Sequence, residues 1–199
     1  MAEGAVLLRG FAGPSEGDLI AALRDIEGLA PFRHMVTPGG HQMSVAMTNC
    51  GSLGWVTDRS GYRYDARDPE AARPWPAMPP SFRELARQAA AQAGFGGFSP
   101  DACLVNRYQP GARMSLHQDK DEEDFGAPIV SVSLGLPAVF LFGGLKRADK
   151  PQRFRLEHGD IAVWGGPARL RFHGVAPLAD REHALLGRQR INLTFRKAR

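Results

Sequence analysis

Cysteine is nearly missing from this chain, with 2 residues in 199, Cys50 and Cys103. Two thiols cannot build the disulfide framework of a small secreted domain, so stability has to come from a packed core. Apolar runs long enough to span a bilayer are missing too, which leaves no candidate membrane helix. The first residues, Met1-Ala2-Glu3-Gly4, carry no basic segment followed by an apolar one. No secretory leader is expected from them, and a reducing, cytoplasmic setting is. Lysine is scarce, and nearly all of the positive charge behind the net +4 is arginine. Arginine favours bidentate contacts with carboxylates and phosphates. A basic surface of this kind fits a nucleic-acid partner and equally fits a solvated face. No repeat, low-complexity tract or domain boundary interrupts the sequence, and its length suits one domain with a full core.

Residues 5–9 read as a short strand. Pro14-Ser15-Glu16 opens a helix with Ser15 as cap, and Leu19, Ile20, Leu23 and Ile26 are spaced to form one buried stripe. After a turn at Pro38-Gly39-Gly40, Met43, Val45 and Met47 alternate as in a half-buried strand. Over 49–80 the composition shifts: glycines and prolines punctuate Trp55, Tyr62, Tyr64 and Trp75 among several arginines. Long irregular segments of this kind are binding loops or lids. Aromatics beside arginines suit stacking on bases and holding phosphates. The same rings can also pin a loop to the core, which is the expectation for Trp75 between Pro74 and Pro76. Pro80-Ser81-Phe82-Arg83-Glu84 reads as a capping box opening a helix that stops at Gly94, with Phe82, Leu85 and Ala89 inside.

From Ala102 onward the pattern is short β segments separated by Gly, Pro and Asp turns. They fall near 102–109, 113–118, 129–135, 138–142, 153–157, 161–164, 169–173 and 190–196. Eight such strands predict a double-sheet jelly roll, so the fold class is mainly β with flanking helices (α+β). The chain is expected to be a single domain, 1–199. About 1–100 would supply N-terminal helices and a substrate-binding lid, and about 101–199 the catalytic core.

His117-x-Asp119 is the first candidate for chemistry, because residues two apart on a strand point to the same face. An imidazole and a carboxylate placed so can converge on one ion, with His173 as a distant third ligand; a lone His-x-Asp is otherwise a surface strand end. On the closing strand Arg190, Asn192, Thr194 and Arg196 share one face, while Ile191, Leu193 and Phe195 share the other. Either the polar face is solvated, or it lines a wet cavity with the apolar face packed outside. The second reading is preferred, because His117, Asp119 and His173 need a cavity. Two arginines there suit a dicarboxylate, one forking the distal carboxylate and the other near the metal-bound end. Asn106 and Tyr108, on one face with Leu104, can donate to the same acid. His34, His41, His158 and His183 are assigned no ligand role, and Ser131 and Ser133 have no base beside them. Asp121 and Glu122 follow the metal carboxylate closely enough to lean into the mouth of the site.

These segments together resemble the iron(II)- and 2-oxoglutarate-dependent dioxygenases, and within them the AlkB family of nucleic-acid dealkylases, its bacterial members more than its animal ones. The resemblance runs from Ala5 to Arg196. It is carried by Met35-Val36-Thr37-Pro38-Gly39-Gly40, residues 43–51, Pro74-Trp75-Pro76, Asn106-Arg107-Tyr108, residues 116–122 and the closing strand. It implies Fe(II) held by His117, Asp119 and His173, which with Arg196 form the catalytic set. It implies 2-oxoglutarate held among Leu104, Asn106, Arg107, Tyr108, Arg190, Asn192, Thr194 and Arg196. Trp55 and His173 would sandwich a damaged base, Tyr62, Arg63 and Tyr64 would contact the substrate, Asp121 the exocyclic nitrogen, and Arg147 the entrance. The implied reaction consumes dioxygen and 2-oxoglutarate, hydroxylates an N-methyl group in single-stranded DNA or RNA, and releases formaldehyde, succinate and carbon dioxide. A monomer with no obligate protein partner is expected. Two other readings remain open at this point: a dioxygenase of a protein or small molecule, and a catalytically silent nucleic-acid-binding jelly roll. Phe125-Gly126 and residues 179–189 depart from the family pattern.

Overall fold

The computed structural model describes residues 1–199. Strand β1 (Ala5–Leu8) leads into helix α1 (Glu16–Leu29), which buries the expected stripe of Leu19, Ile20, Leu23 and Ile26. Ser15 stands at the N-cap, but its side chain makes no capping bond because a short 3₁₀ turn, Gly13–Ser15, feeds the helix. Strand β2 (Ala46–Gly51) starts later than the alternation at Met43 predicts. The residues before it form a hook instead, in which Val36 bridges Gln42 around the Pro38-Gly39-Gly40 turn and Arg33 bridges Met47. Part of the stretch expected to be an irregular loop is regular: β3 (Gly54–Asp58) and β4 (Gly61–Asp65) pair as an antiparallel hairpin. Trp75 is buried, as its flanking prolines predict, and its indole donates to the Asp65 carbonyl at 3.0 Å. Any side chain larger than hydrogen at Gly54 would run into that indole.

Helix α2 (Pro80–Gln92) corrects the capping-box reading: Pro79 is the N-cap and makes no side-chain bond. Pro80 takes the first helical position, where its missing N–H costs nothing. Ser81 therefore lies inside the helix, and Glu84 bonds Arg87 and Gln88 rather than a backbone N–H at the cap. The remaining strands are β5 (Ala102–Tyr108), β6 (Met114–His117), β7 (Ile129–Gly135), β8 (Ala138–Phe142), β9 (Gln152–Leu156), β10 (Ile161–Trp164), β11 (His173–Val175) and β12 (Arg190–Arg196). Seven of the eight fall where the turn signals put them. The exception is 169–173: a 3₁₀ turn at Gly166–Ala168 carries the chain past Arg169, and β11 begins only at His173.

The strands form a six-stranded sheet in the order β1-β10-β7-β12-β5-β2, facing a four-stranded sheet in the order β6-β11-β8-β9. The fold is the mainly β jelly roll with flanking helices, and β1 and β2 extend its larger sheet at both edges. Alternation along β12 decides what faces where. Ile191, Leu193 and Phe195 point outward into the core beneath α1 and α2, with Phe195 edge-on to Phe82 at 5.9 Å. Arg190, Asn192, Thr194 and Arg196 point inward and line a cavity between the sheets. No helix is long and apolar enough to cross a membrane.

Candidate active site

Two histidines and a carboxylate meet because β6 and β11 pair with His117 directly opposite His173. That close pairing needs Gly174, since a Cβ there would press on the Met114 carbonyl at 2.6 Å. The imidazole centroids lie 4.4 Å apart. His117 Nε2 is 3.5 Å from Asp119 Oδ1, and His173 Nε2 is 3.7 Å from Asp119 Oδ2. Each ring is oriented by a backbone carbonyl: His117 Nδ1 lies 2.8 Å from the Ser115 oxygen and His173 Nδ1 lies 3.0 Å from that of Arg171. A carbonyl only accepts, so both Nδ1 atoms carry hydrogen and the Nε2 atoms are the ones turned toward the carboxylate. All three ligand atoms lie within 4.8 Å of one another, an arrangement that can grip one metal ion. Burial, and then the neighbouring His117, push the pKa of His173 down, so this imidazole stays neutral and free to coordinate. Burial would raise the pKa of Asp119, but Arg196, His173 and His117 outweigh it and hold that carboxyl well below the usual carboxylate range.

The cavity behind these ligands is lined by Leu104, Asn106, Tyr108, Ser131, Arg190, Asn192 and Thr194, among others. Asn192 is fully engaged: its amide donates to Ser131 Oγ at 2.8 Å and to the Val132 carbonyl at 2.9 Å, and its oxygen accepts from Thr194 at 3.0 Å. Arg190 is not. It lies over the Tyr108 ring at 5.0 Å and donates to Ser133 Oγ at 3.0 Å, yet its Nε and Nη1 are buried without partners, as is Asn106 Oδ1. Leaving donors of a buried cation unpaired costs about 1–3 kcal/mol or more per group. A small acid with one carboxylate on Arg190 and the other end at the metal removes that cost, so these residues fit 2-oxoglutarate.

Arg196 sits at the metal end. Its Nε and Nη2 both donate to Asp119 Oδ2, at 3.0 and 2.7 Å. Behind it lies a buried acid, Glu122, which takes Arg169 Nη2 at 3.0 Å and the Tyr64 hydroxyl at 2.6 Å. Arg169 also holds the Asp119 carbonyl at 2.7 Å. Burial raises the pKa of Tyr64 strongly, with Arg196 opposing and Glu122 reinforcing it, so the phenol keeps its proton and donates. Arg169 escaped the sequence reading. A single buried arginine just past a turn leaves no periodic signal, and Glu122, expected to lean into the mouth of the site with Asp121, is instead buried against that arginine.

Outside the ligands the site opens into a cleft of about 850 Å³ lined by Trp55, Tyr62, Met43, His117, Asp121, Arg147 and others. Trp55 lies against Tyr62 with ring centroids 5.7 Å apart and planes within 19°, and its Nε1 donates to Asp121 Oδ2 at 2.8 Å. Several expectations are corrected here. The imidazole that shares the cleft with Trp55 is His117, whose side chain is 37% exposed; His173 is 6% exposed and faces only the inner cavity. Tyr64 is buried on Glu122 and does not reach the cleft. Arg63, between the two tyrosines, points to the other side of the hairpin and is neutralised by Asp58 at 2.9 Å and Asp65 at 3.8 Å. Arg107 alternates away from Asn106 and Tyr108, and it pairs with Glu27 of α1 at 2.9 Å over the Phe32 ring. His158 lies outside the site, with Nε2 2.9 Å from Glu16 and its ring stacked on His183.

Residues 4–196 match the family model described as the 2OG-Fe(II) oxygenase superfamily. Over 198 residues the chain is 60% identical to the alpha-ketoglutarate-dependent dioxygenase AlkB of Salmonella typhimurium, covering 100% of this chain and 92% of that protein. The Escherichia coli K12 protein of the same name gives the same identity and coverage. The AlkB homolog of Caulobacter vibrioides is 50% identical over 171 residues, covering 85% of this chain and 76% of that one. Among solved structures, that of OsALKBH1 superposes with a TM-score of 0.84 at 30% identity, covering 97% of both chains. The sequence match, the shared fold and a His-Asp-His cluster beside an unpaired buried arginine agree, and the chain belongs to the 2OG-Fe(II) oxygenase superfamily.

Proposed function

We propose that this chain is a direct-reversal repair enzyme that removes N-methyl groups from 1-methyladenine and 3-methylcytosine in single-stranded DNA and RNA. It uses Fe(II), dioxygen and 2-oxoglutarate and releases formaldehyde, succinate and carbon dioxide. The observation that carries this reading is the layout of the site: an inner cavity lined by Arg190, Asn106 and Tyr108 lies behind His117, and a wide cleft walled by Trp55 and Asp121 lies in front of it. His117, Asp119 and His173 would hold the Fe(II), which would supply the activation of dioxygen. Everything else is the work of side chains. Arg190 takes the distal carboxylate of 2-oxoglutarate, Asn106 and Tyr108 contact the acid along its length, and Arg196 holds Asp119 ionised at the metal end. Leu104 and Thr194 close the cavity.

In the cleft, methylation of adenine N1 or cytosine N3 leaves a cationic base that cannot pair, which makes it cheap to flip out of a strand. Trp55 stacks on that base and Asp121 attracts its charge and exocyclic nitrogen. Asp121 already fixes the indole, so one carboxylate sets the stacking surface and the charge preference together. Tyr62 at the exposed tip of the hairpin and Arg147 at the rim meet the nucleic-acid backbone. Two free buried thiols suit a reducing cytoplasm. Residues 1–199 act as one catalytic unit, with the first hundred or so supplying the lid. The test is mass spectrometry of a single-stranded oligonucleotide carrying one 1-methyladenine, incubated with protein, Fe(II), ascorbate and 2-oxoglutarate. Loss of the methyl group, dependent on 2-oxoglutarate and absent in His117→Ala, is expected. Succinate release from an oligonucleotide that stays methylated would overturn the substrate and leave the dioxygenase.

A further inference from the structure

We infer that Glu122 is a positioning residue that ties the lid hairpin to the 2-oxoglutarate site through Tyr64 on one side and Arg196 on the other. It makes no contact with the metal ligand atoms. Its place in the mechanism follows from who touches it. The Tyr64 hydroxyl, carried by β4 of the hairpin, donates to Oε1 at 2.6 Å. Arg169 donates to Oε2 at 3.0 Å. Arg196 Nε lies 3.4 Å from Oε1 while its Nη2 grips Asp119 at 2.7 Å. The side chains of Glu122, Arg169, Arg196 and Asp119 are all under a tenth exposed.

The charges in this block cancel, two carboxylates against two guanidiniums, which is the condition for burying them at all. Asp119 alone cannot balance both arginines, so Glu122 supplies the missing anion. It also fixes directions. Arg196 donates to Asp119 and lies in an ion pair with Glu122, whose charge holds the guanidinium back from the cavity it borders. Arg169 closes the loop by holding the Asp119 carbonyl at 2.7 Å, so the chain from the metal carboxylate to Glu122 is clamped at both ends. Tyr64 is the only bond from the hairpin into this block apart from its own 3.5 Å contact with Arg196. The Trp55–Asp121 bond ties the hairpin to the same segment from the cleft side, but the Tyr64 hydroxyl is the link that enters the buried block, and through it occupation of the 2-oxoglutarate site and ordering of the hairpin bias one another. This coupling rests on the dioxygenase chemistry of the family and needs no assumption about the nucleic acid.

The experiment compares Tyr64→Phe, Glu122→Gln and a control, Thr57→Val. The control cuts a different anchor of the same hairpin, the 3.2 Å bond from Thr57 to the Val36 carbonyl. Two quantities are read without nucleic acid: the 2-oxoglutarate KM in substrate-independent succinate formation, and amide hydrogen exchange over 54–65 in manganese-loaded protein with and without 2-oxoglutarate. In the parent chain 2-oxoglutarate slows exchange of the hairpin. Tyr64→Phe is expected to abolish that slowing and raise KM about tenfold, at the lower end of the effect of removing partners one layer from a metal site. Glu122→Gln keeps the shape but turns an NH₂ toward one of its donors, and is expected to raise KM more, with kcat falling less than KM rises. Thr57→Val speeds hairpin exchange yet leaves both KM and the response to 2-oxoglutarate in place. Thermal denaturation identifies any variant that fails to fold, and Tyr64→Phe alone then decides. The inference is overturned if Tyr64→Phe keeps the 2-oxoglutarate-dependent protection with KM within twofold of the parent. It is overturned equally if Thr57→Val moves KM as far as Tyr64→Phe, because general order of the lid would then set the clamp.

Discussion

The inner cavity and the β3–β4 hairpin are built from the same residue types, arginine beside tyrosine on a strand, and do opposite things with them. Inside, Arg190 lies on the Tyr108 ring with two donors unpaired, 1% exposed and open only to the cavity. On the hairpin, Arg63 lies between Tyr62 and Tyr64 and has its charge paired by Asp58 and Asp65, with its Nη1 alone left without a partner and its side chain 35% exposed. The first arginine stores a demand for an anion; the second has had its demand met by its own strand and the turn. The interior is thus preorganised for one small acid by groups that nothing else can satisfy. The lid holds its aromatic surface upright with local ion pairs and leaves Tyr62, 51% exposed, at its tip. Rigid selection sits below and adaptable selection above, as expected where one ligand is constant and the other is a flexible strand.

The largest effect that sharpens this contrast is expected from Arg190→Met. Losing a charge-assisted pair is worth about 1.5–3 kcal/mol, so the KM for 2-oxoglutarate should rise roughly tenfold to a hundredfold. The free protein should lose little, because Nε and Nη1 have no partners in it and the bond from Nη2 to Ser133 is the one hydrogen bond removed. A thermal midpoint equal to or above that of the parent, measured without ligand, is the second half of the expectation. A large drop would mean that Arg190 serves the fold and not the acid. Arg169→Met should behave in the reverse way, lowering the midpoint, since it strips a paired partner from buried Glu122.

Trp55→Ala tests the upper region. Stacking of a base on an aromatic ring is worth about 1–3 kcal/mol by alanine substitution, so kcat/KM on a methylated oligonucleotide should fall by roughly fivefold to a hundredfold. The KM for 2-oxoglutarate should move less than twofold, because the indole shares no wall with the inner cavity. Equal losses in both constants would erase the division between the two regions.

Which parts of this arrangement were legible in the sequence follows from the period of each pattern. Period-two alternation is strict along β12, so the split of Arg190, Asn192, Thr194 and Arg196 from Ile191, Leu193 and Phe195 is readable, and the structure keeps it. His117-x-Asp119 obeys the same rule, while its partner His173 is reached by strand pairing after four intervening strands. What stayed hidden is what alternation cannot carry. Tyr64 shares a face with Tyr62 but sits nearer the root of the hairpin, where that face is already covered. The trade of His117 for His173 at the cleft depends on which strand is nearer the mouth, and spacing does not encode that. Arg169 follows a turn, where no period applies.

Arg107 shows alternation being overruled by motif, and it carries the smallest expected effect. Asn106-Arg107-Tyr108 reads as one cofactor-binding run, yet neighbours on a strand face opposite ways. Arg107 accordingly leaves the cavity for Glu27 and the Phe32 ring, where it fastens β5 to the end of α1. The pair is partly exposed, with side chains 29% and 45% accessible, so solvent screening limits it to about 0.2–1 kcal/mol, with a similar sum from the ring. Arg107→Ala should therefore lower the thermal midpoint by a few degrees at most and leave the KM for 2-oxoglutarate within twofold of the parent. A tenfold rise in that KM would put Arg107 back on the inner face and break the register of β5 against β12 from which the whole cavity is built.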